Sequence, residues 1–289
     1  MIPLLIGIPA VLAVLFQLIR NEKARGYVVY AGAGIIMLTT VIFIVRWITG
    51  GAQTWMFYPE TELIDHLMTA GDIFLMCLII YLSVKYGKVL PVILSVLQTV
   101  LVLYTEFTVE VEEGPHMMVD WLTILMCIII AFIGGFICIY TVGYMKGYHT
   151  HHKDVKDRQP FFFSMLFLFL AAMFGLVLSQ NLIWIYFFWE ITSVISFLMI
   201  GYTRSDEAVN NSFCALWMNL LGGLGFAVAI ALMAQMQGTL QLMDVVGIGA
   251  LLPLMCLSLA GLTKSAQLPF STWLLGAMVA PTPSSALLH

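Results

Sequence analysis

The sequence predicts an all-α fold, a polytopic bundle of membrane-spanning helices, and three observations predict it. Of 289 residues, 61% are hydrophobic and only 10% are charged, where soluble domains carry roughly 25% charged residues. Apolar runs close to the ~20 residues that a helix needs to cross a ~30 Å hydrocarbon core recur along the chain. Lys and Arg fall on every second connecting loop, the asymmetry that orients spans in a bilayer.

On that ruler the spans lie near residues 2–19, 26–49, 65–85, 88–106, 118–144, 161–180, 181–202, 209–236 and 244–280. These make about nine full helices, and a tenth begins near Ser284. The first run has no basic residue before it, and Arg20, Lys23 and Arg25 follow it. A signal peptide starts basic and ends in a small-residue cleavage site, so this run reads as a retained span with its N-terminus outside.

The loops test the count. Arg20–Arg25 is basic, the next loop carries Glu60 and Glu62, and Lys85 and Lys88 form a basic turn. Glu106, Glu110, Glu112 and Glu113 make an acidic loop, followed by Lys146, Lys153, Lys156 and Arg158. The link at 179–181 is uncharged, and the one after it holds Arg204. Basic loops are cytoplasmic in this reading, which makes the chain a multi-pass protein of the inner (cytoplasmic) membrane.

The last full apolar segment covers residues 244–280. As one helix they would run about 55 Å, far more than a bilayer core. A single broken helix fits better, with non-helical backbone around Lys264–Pro269, because Pro269 lacks a backbone donor and biases Leu268 away from helix. Breaks at membrane depth are tolerated only inside protein or beside a wet cavity.

The same composition excludes other classes. A net charge of −4 with no basic run argues against nucleic acid. Cys77, Cys127, Cys138, Cys214 and Cys256 all lie in apolar stretches without ligand spacing, so no metal, iron–sulfur cluster or disulfide framework is expected. No Gly-rich phosphate loop follows a strand, and no cofactor is expected in this chain.

Two residues stand out as ionisable groups in the middle of apolar stretches, Glu190 and Lys264. A charge at bilayer centre costs at least ~2.5–3.5 kcal/mol on insertion scales, so it marks ion movement or a deliberate structural contact. The structural alternatives are a neutral or hydrogen-bonded Glu190 holding helices together, and a Lys264 that snorkels. Together they form an acid–base pair whose separation sets proton affinity. His289 falls inside the tenth helix, where an imidazole relays protons near neutral pH. Asp72 lies within the third apolar segment and ranks below these. His149, His151 and His152 read as a solvated loop rather than a metal site, and Asp120 and Asp244 as span-end caps. Asn219 with Gly222 and Gly223 reads as close helix packing with a polar contact.

Three stretches carry a resemblance. YTVGYMKGY (140–148), FFFSMLFLFLAAMFGLVLSQNLIWIYFFWEITSVISFLMIGY (161–202) and GLTKSAQLPFSTWLLGAMVAPTPSSALLH (261–289) resemble the antiporter-like large subunits. That family serves respiratory complex I, multisubunit cation/proton antiporters and membrane-bound energy-converting hydrogenases. The likeness runs from Asp120 to His289. It implies that Glu190 matches the glutamate of a proton path, Lys264 the broken-helix lysine paired with it, and His289 the histidine that links the lysine onward. Ser271 and Gly276 depart from the usual pattern, and spans 65–85 and 88–106 look like additions that lean toward the hydrogenase branch.

The implied organisation is residues 1–117 as N-terminal helices and 118–289 as an incomplete first antiporter-like repeat, since the resemblance implies a second repeat and a truncated chain. The expected function is proton translocation, without redox chemistry of its own, as a subunit of a redox-driven NADH–quinone oxidoreductase or hydrogenase. Its expected partners are other membrane and hydrophilic subunits of a respiratory or hydrogenase complex, the lipid bilayer and protons. The alternatives are a subunit of a multisubunit Na+/H+ antiporter, or a scaffold that does not transport.

Overall fold

In the computed structural model, residues 1–58, 62–112, 114–153, 155–247 and 249–289 are described. Glu60 and Glu113, two of the acids expected in the outer loops, lie outside the described residues. The chain is about 80% helical. The helices are α1 (Ile2–Leu18), α2 (Glu22–Thr49), α3 (Glu62–Lys85), α4 (Val89–Thr108), α5 (Trp121–Ile129), α6 (Gly135–His151) and α7 (Gln159–Leu178). They continue with α8 (Leu182–Ile200), α9 (Asp206–Gln237), α10 (Leu242–Gly247), α11 (Leu251–Lys264), α12 (Thr272–Gly276) and α13 (Thr282–Leu288). A single π-helical turn, Ile130–Gly134, joins α5 to α6 into one continuous rod. Among the described residues, seven helices are long and apolar enough to span a membrane, and α1 and α11 are shorter apolar helices.

Local chemistry places the ends. Asn21 caps α2 by accepting from Lys23 N at 2.9 Å. Asp120 caps α5 as expected, accepting from Thr123 N at 2.8 Å. Asn181 caps α8 from Ile183 N at 2.9 Å, and Ser205 caps α9 from Ala208 N at 3.2 Å. Each satisfies amide donors that the first turn leaves open. At the far end of α9, Gly238 takes a left-handed conformation, the usual glycine stop.

The helix ends sort into two faces of the bundle. At one, Arg25 Nη2 donates to Gln159 Oε1 (2.8 Å), Lys88 Nζ to Asn210 Oδ1 (3.1 Å), and Arg158 Nη2 to the Tyr202 carbonyl. At the other, strands β1 (Trp55–Phe57) and β2 (Met117–Val119) pair antiparallel, and bridges tie Met117 to Ser179 and Asn181 to Gln241. This second face holds the uncharged and acidic links. The separation agrees with the alternation of loop charge.

Two expectations need adjusting. The histidine-bearing segment is largely helical rather than loop, because α6 runs on to His151. There His149 Nε2 lies 3.1 Å from the Tyr202 hydroxyl, and His152 stacks on Tyr148 with ring centroids 4.3 Å apart. The last long segment is also not one broken helix from 244. α10 is a separate short helix, cut off at Gly249, which adopts φ +68° and turns the chain into α11. The broken span therefore starts at Leu251.

α8 is the most enclosed of the long helices, with 78% of its apolar stretch buried against 22% for α3. It packs between α7 and α9, while α4 and α11 lie along α9 and α3 leans on α8. An aromatic core of Phe16, Phe43, Trp47, Phe162, Phe167 and Phe174 fills the space among α1, α2 and α7. That leaves the polar residues of α8 facing α4, α9 and α11.

Candidate functional site

The site is built around the centre of α8. Glu190 is 3% exposed, so its carboxyl group faces protein, not lipid. Gln98 of α4 donates from Nε2 to Glu190 Oε2 at 2.9 Å. The other oxygen, Oε1, has no hydrogen-bond partner among the described residues. It points toward Gly223 of α9, where an added methyl would come within 2.8 Å of it and within 2.5 Å of Gln98 Oε1. A side chain at 223 would close that space, which gives the glycine a positional reason.

Lys264 arrives from the end of α11. Its Nζ donates to Ser193 Oγ at 2.8 Å and to the Trp189 carbonyl at 3.3 Å, and sits 5.0 Å from the centroid of the Trp189 ring. Ser193 is three residues after Glu190, on the same face of α8. The lysine is thus moored one turn beyond the glutamate, and among the described residues the two make no ion pair within 4.0 Å. The expected partners are neighbours on one helix face, each with its own neutral hydrogen-bond partner.

The helix break beside Lys264 has a definite construction. Ala266 N donates to Thr263 O (3.2 Å) and Gln267 N to Leu262 O (3.0 Å), with Ala266 at φ +53°. This is a Schellman stop, normally closed by glycine. The Trp273 indole also donates to Thr263 O at 2.9 Å, tying the far side of the break back to α11. Lys264 is the last residue of α11, where a cation is favoured by the helix dipole. A left-handed alanine costs about 1 kcal/mol relative to glycine. Ala266→Gly is expected to raise the thermal stability of the solubilised protein by about that amount, and a melting curve of the variant would check it.

His289 closes α13, exposed, with its backbone amide donating to Ser285 O at 3.0 Å. Among the described residues no hydrogen bond joins its ring to Lys264. α13 itself packs against α6 and α8, and Tyr144 accepts from the Thr282 amide at 3.2 Å.

The sequence reading misses Gln98, Ser193 and the specific role of Gly223. A signal is present for Gln98. Ser95, Gln98, Thr99, Val102 and Thr105 are among the buried residues of α4, and their helical spacing puts one polar stripe on an otherwise apolar span. Asn219, read as a polar contact between helices, instead donates from Nδ2 to Ala215 O of its own helix at 2.8 Å.

Among known proteins, the family model described as NADH:quinone oxidoreductase/Mrp antiporter, TM, matches residues 179–289. A second, described as NADH-Ubiquinone oxidoreductase (complex I), chain 5 N-terminus, matches residues 114–154. The putative antiporter subunit mnhA2 of Staphylococcus aureus (strain JH9) is 37% identical over 179 residues, covering 59% of this chain and 22% of its own length. The same subunit from strain USA300 is 36% identical over the same span. The chain thus spans about a fifth of the length of these relatives. A chain of the membrane-bound sulfane sulfur reductase, an archaeal respiratory membrane complex, matches with TM-score 0.67 over 98% of this chain and 49% of its own, at 15% identity. That likeness is one of fold. A chain of the Mrp complex from Dietzia sp. DQ12-45-1b matches with TM-score 0.52 at 26% identity, over 78% of this chain and 26% of its own.

Proposed function

Since the chain belongs to the antiporter-like membrane subunits of complex I, Mrp antiporters and energy-converting hydrogenases, we propose that it moves protons through the interior around Glu190 and Lys264. The observation that supports this reading is the position of Lys264. Its ammonium group leaves a helix break and docks on α8 one turn from a buried carboxylate with an open oxygen. In this reading Glu190 and Lys264 alternate between neutral and charged partners. The lysine holds its proton while its ammonium group leans toward the carboxylate, and releases it when moored only on Ser193 and the Trp189 carbonyl. His289 would take the proton onward along the bundle. Motion at the Schellman break would change the Lys264–Glu190 separation.

Lys264→Ala is the test. In membrane vesicles holding the assembled complex, the variant is expected to lose at least about tenfold in proton translocation. Wild-type translocation by an assembled Lys264→Ala protein would sink the reading.

The driving reaction has two candidates, electron transfer in partner subunits or exchange with Na+. Relatives at 36–37% identity that carry the word antiporter in their names favour exchange. A Na+ jump that acidifies or alkalinises vesicles without any electron donor would support exchange, and dependence on a donor would support the redox-driven complex.

A further inference from the structure

The path around Glu190 and Lys264 leaves one buried acid unused. Asp72 lies in the middle of α3, 7% exposed, and its Oδ1 has no hydrogen-bond partner among the described residues. α3 approaches α8 closely here, since a methyl on Gly71 would come within 2.7 Å of the Phe187 ring. A buried polar atom left open in an apolar interior calls for a reason. Three further facts surround it.

First, Asp65, Thr69 and Asp72 repeat at helical spacing along one face of α3, opposite the polar stripe of α4. The two stripes meet where Thr69 Oγ1 donates to Glu106 Oε1 at 2.6 Å. Second, Glu106 and Glu190 are both close enough to act electrostatically on Asp72. Tyr186, one turn before Glu190, feels Asp72 and Glu190 in the same way, and its hydroxyl faces Thr99 without closing a hydrogen bond of ordinary geometry. Third, the stripe ends in a cavity of about 180 Å3 lined by Asp65, Glu106, Thr105, His116 and Trp184, with the Trp184 indole donating to Asp65 Oδ1 at 2.7 Å. This cavity sits at the face of the bundle opposite Arg25, Lys88 and Arg158.

We infer that Asp72 is a proton-carrying site in a branch that runs from the cavity at Asp65 and Glu106 to Glu190, opening on the acidic face of the bundle. The inference rests on the proposed path, which the branch joins at Glu190. Each step breaks one O–H bond and forms one. A proton on Glu106 passes along a bridging water to the Asp72 carboxylate, and by a second water from Asp72 to Glu190, with Gln98 and Tyr186 orienting the acceptors. No oxidant or reductant is needed. Both α3 and α4 lie outside the residues that either family model matches. The branch therefore uses a part of the chain that the family match does not cover.

The test measures proton translocation in vesicles containing the complete complex, with the amount of assembled subunit quantified in parallel. Asp72→Asn, nearly isosteric but unable to carry a proton as an acid, is expected to fall at least about tenfold, with Asp72→Glu recovering most of the rate. Equal losses in Asp72→Asn and Asp72→Glu would make the residue a packing element and overturn the inference. An Asp72→Asn rate equal to wild type, beside an inactive Glu190→Gln, would also overturn it while leaving the Glu190 path standing. Wild-type rates in both would remove both readings. If Asp72→Asn does not assemble, Glu106→Gln decides at the half-buried mouth. A several-fold slowing supports the branch, and an unchanged rate overturns it.

Discussion

Glu190→Gln is expected to abolish proton translocation, with at least about a hundredfold loss, in a complex that still assembles. The substitution preserves shape and keeps hydrogen-bonding capacity toward Gln98, so the packing of α4 against α8 should survive. What disappears is the ability to bind and release a proton at the centre of the most enclosed helix. Glu190 is 3% exposed and, among the described residues, hydrogen-bonded on one oxygen, and the amide removes the countercharge toward which Lys264 leans while Ser193 and the Trp189 carbonyl still hold its Nζ. Proton flux should be measured in vesicles against the quantity of assembled subunit. A fully active Glu190→Gln protein would place the conducting route elsewhere.

Gly222→Ala should have the largest structural effect. A methyl there would overlap Thr263 Oγ1 outright, and would meet Thr263 Cβ at 3.1 Å and the Ala260 carbonyl at 3.3 Å. The threonine cannot rotate away without loss, because its hydroxyl donates to Ala260 O at 2.7 Å. The helices must therefore separate, at a cost of about 1–3 kcal/mol for overpacking. Small residues at such crossings are what allow membrane helices to approach. Since Thr263 precedes Lys264, the same shift would displace the lysine from Ser193, so flux should fall with stability. Gly261→Ala is the control, since nothing among the described residues lies within 4 Å of a methyl at that position. A thermal melt of the solubilised protein separates the two, and equal melting of Gly222→Ala and wild type would contradict the packing argument.

How much of the site is legible in the sequence varies by residue, for physical reasons. Glu190 and Lys264 are visible because an ionisable group inside a 20-residue apolar run is expensive whatever surrounds it. The break at Lys264–Pro269 is visible because proline acts locally. The stop itself is harder to see, since alanine rather than glycine occupies its left-handed position. Gln98 escapes notice because its value comes from Glu190, 92 residues away in sequence. Asp72 ranks low for the same reason, as nothing near it in the chain announces that Glu106 and Glu190 lie nearby. α10 and α11 read as one segment because both are apolar, and Gly249 is the residue that separates them by conformation.

The neighbour of Glu190 on α4 is an amide, Gln98. A side-chain amide offers a donor at one end and an acceptor at the other, so Gln98 suits a carboxylate through Nε2 and a carboxylic acid through Oε1, after a half-turn of its terminal group. Because its Oε1 has no hydrogen-bond partner among the described residues, the neighbour can match either state without α4 moving. A cationic neighbour at that place would lock the acid into one form, whereas an amide lets it change form at nearly constant cost to the scaffold.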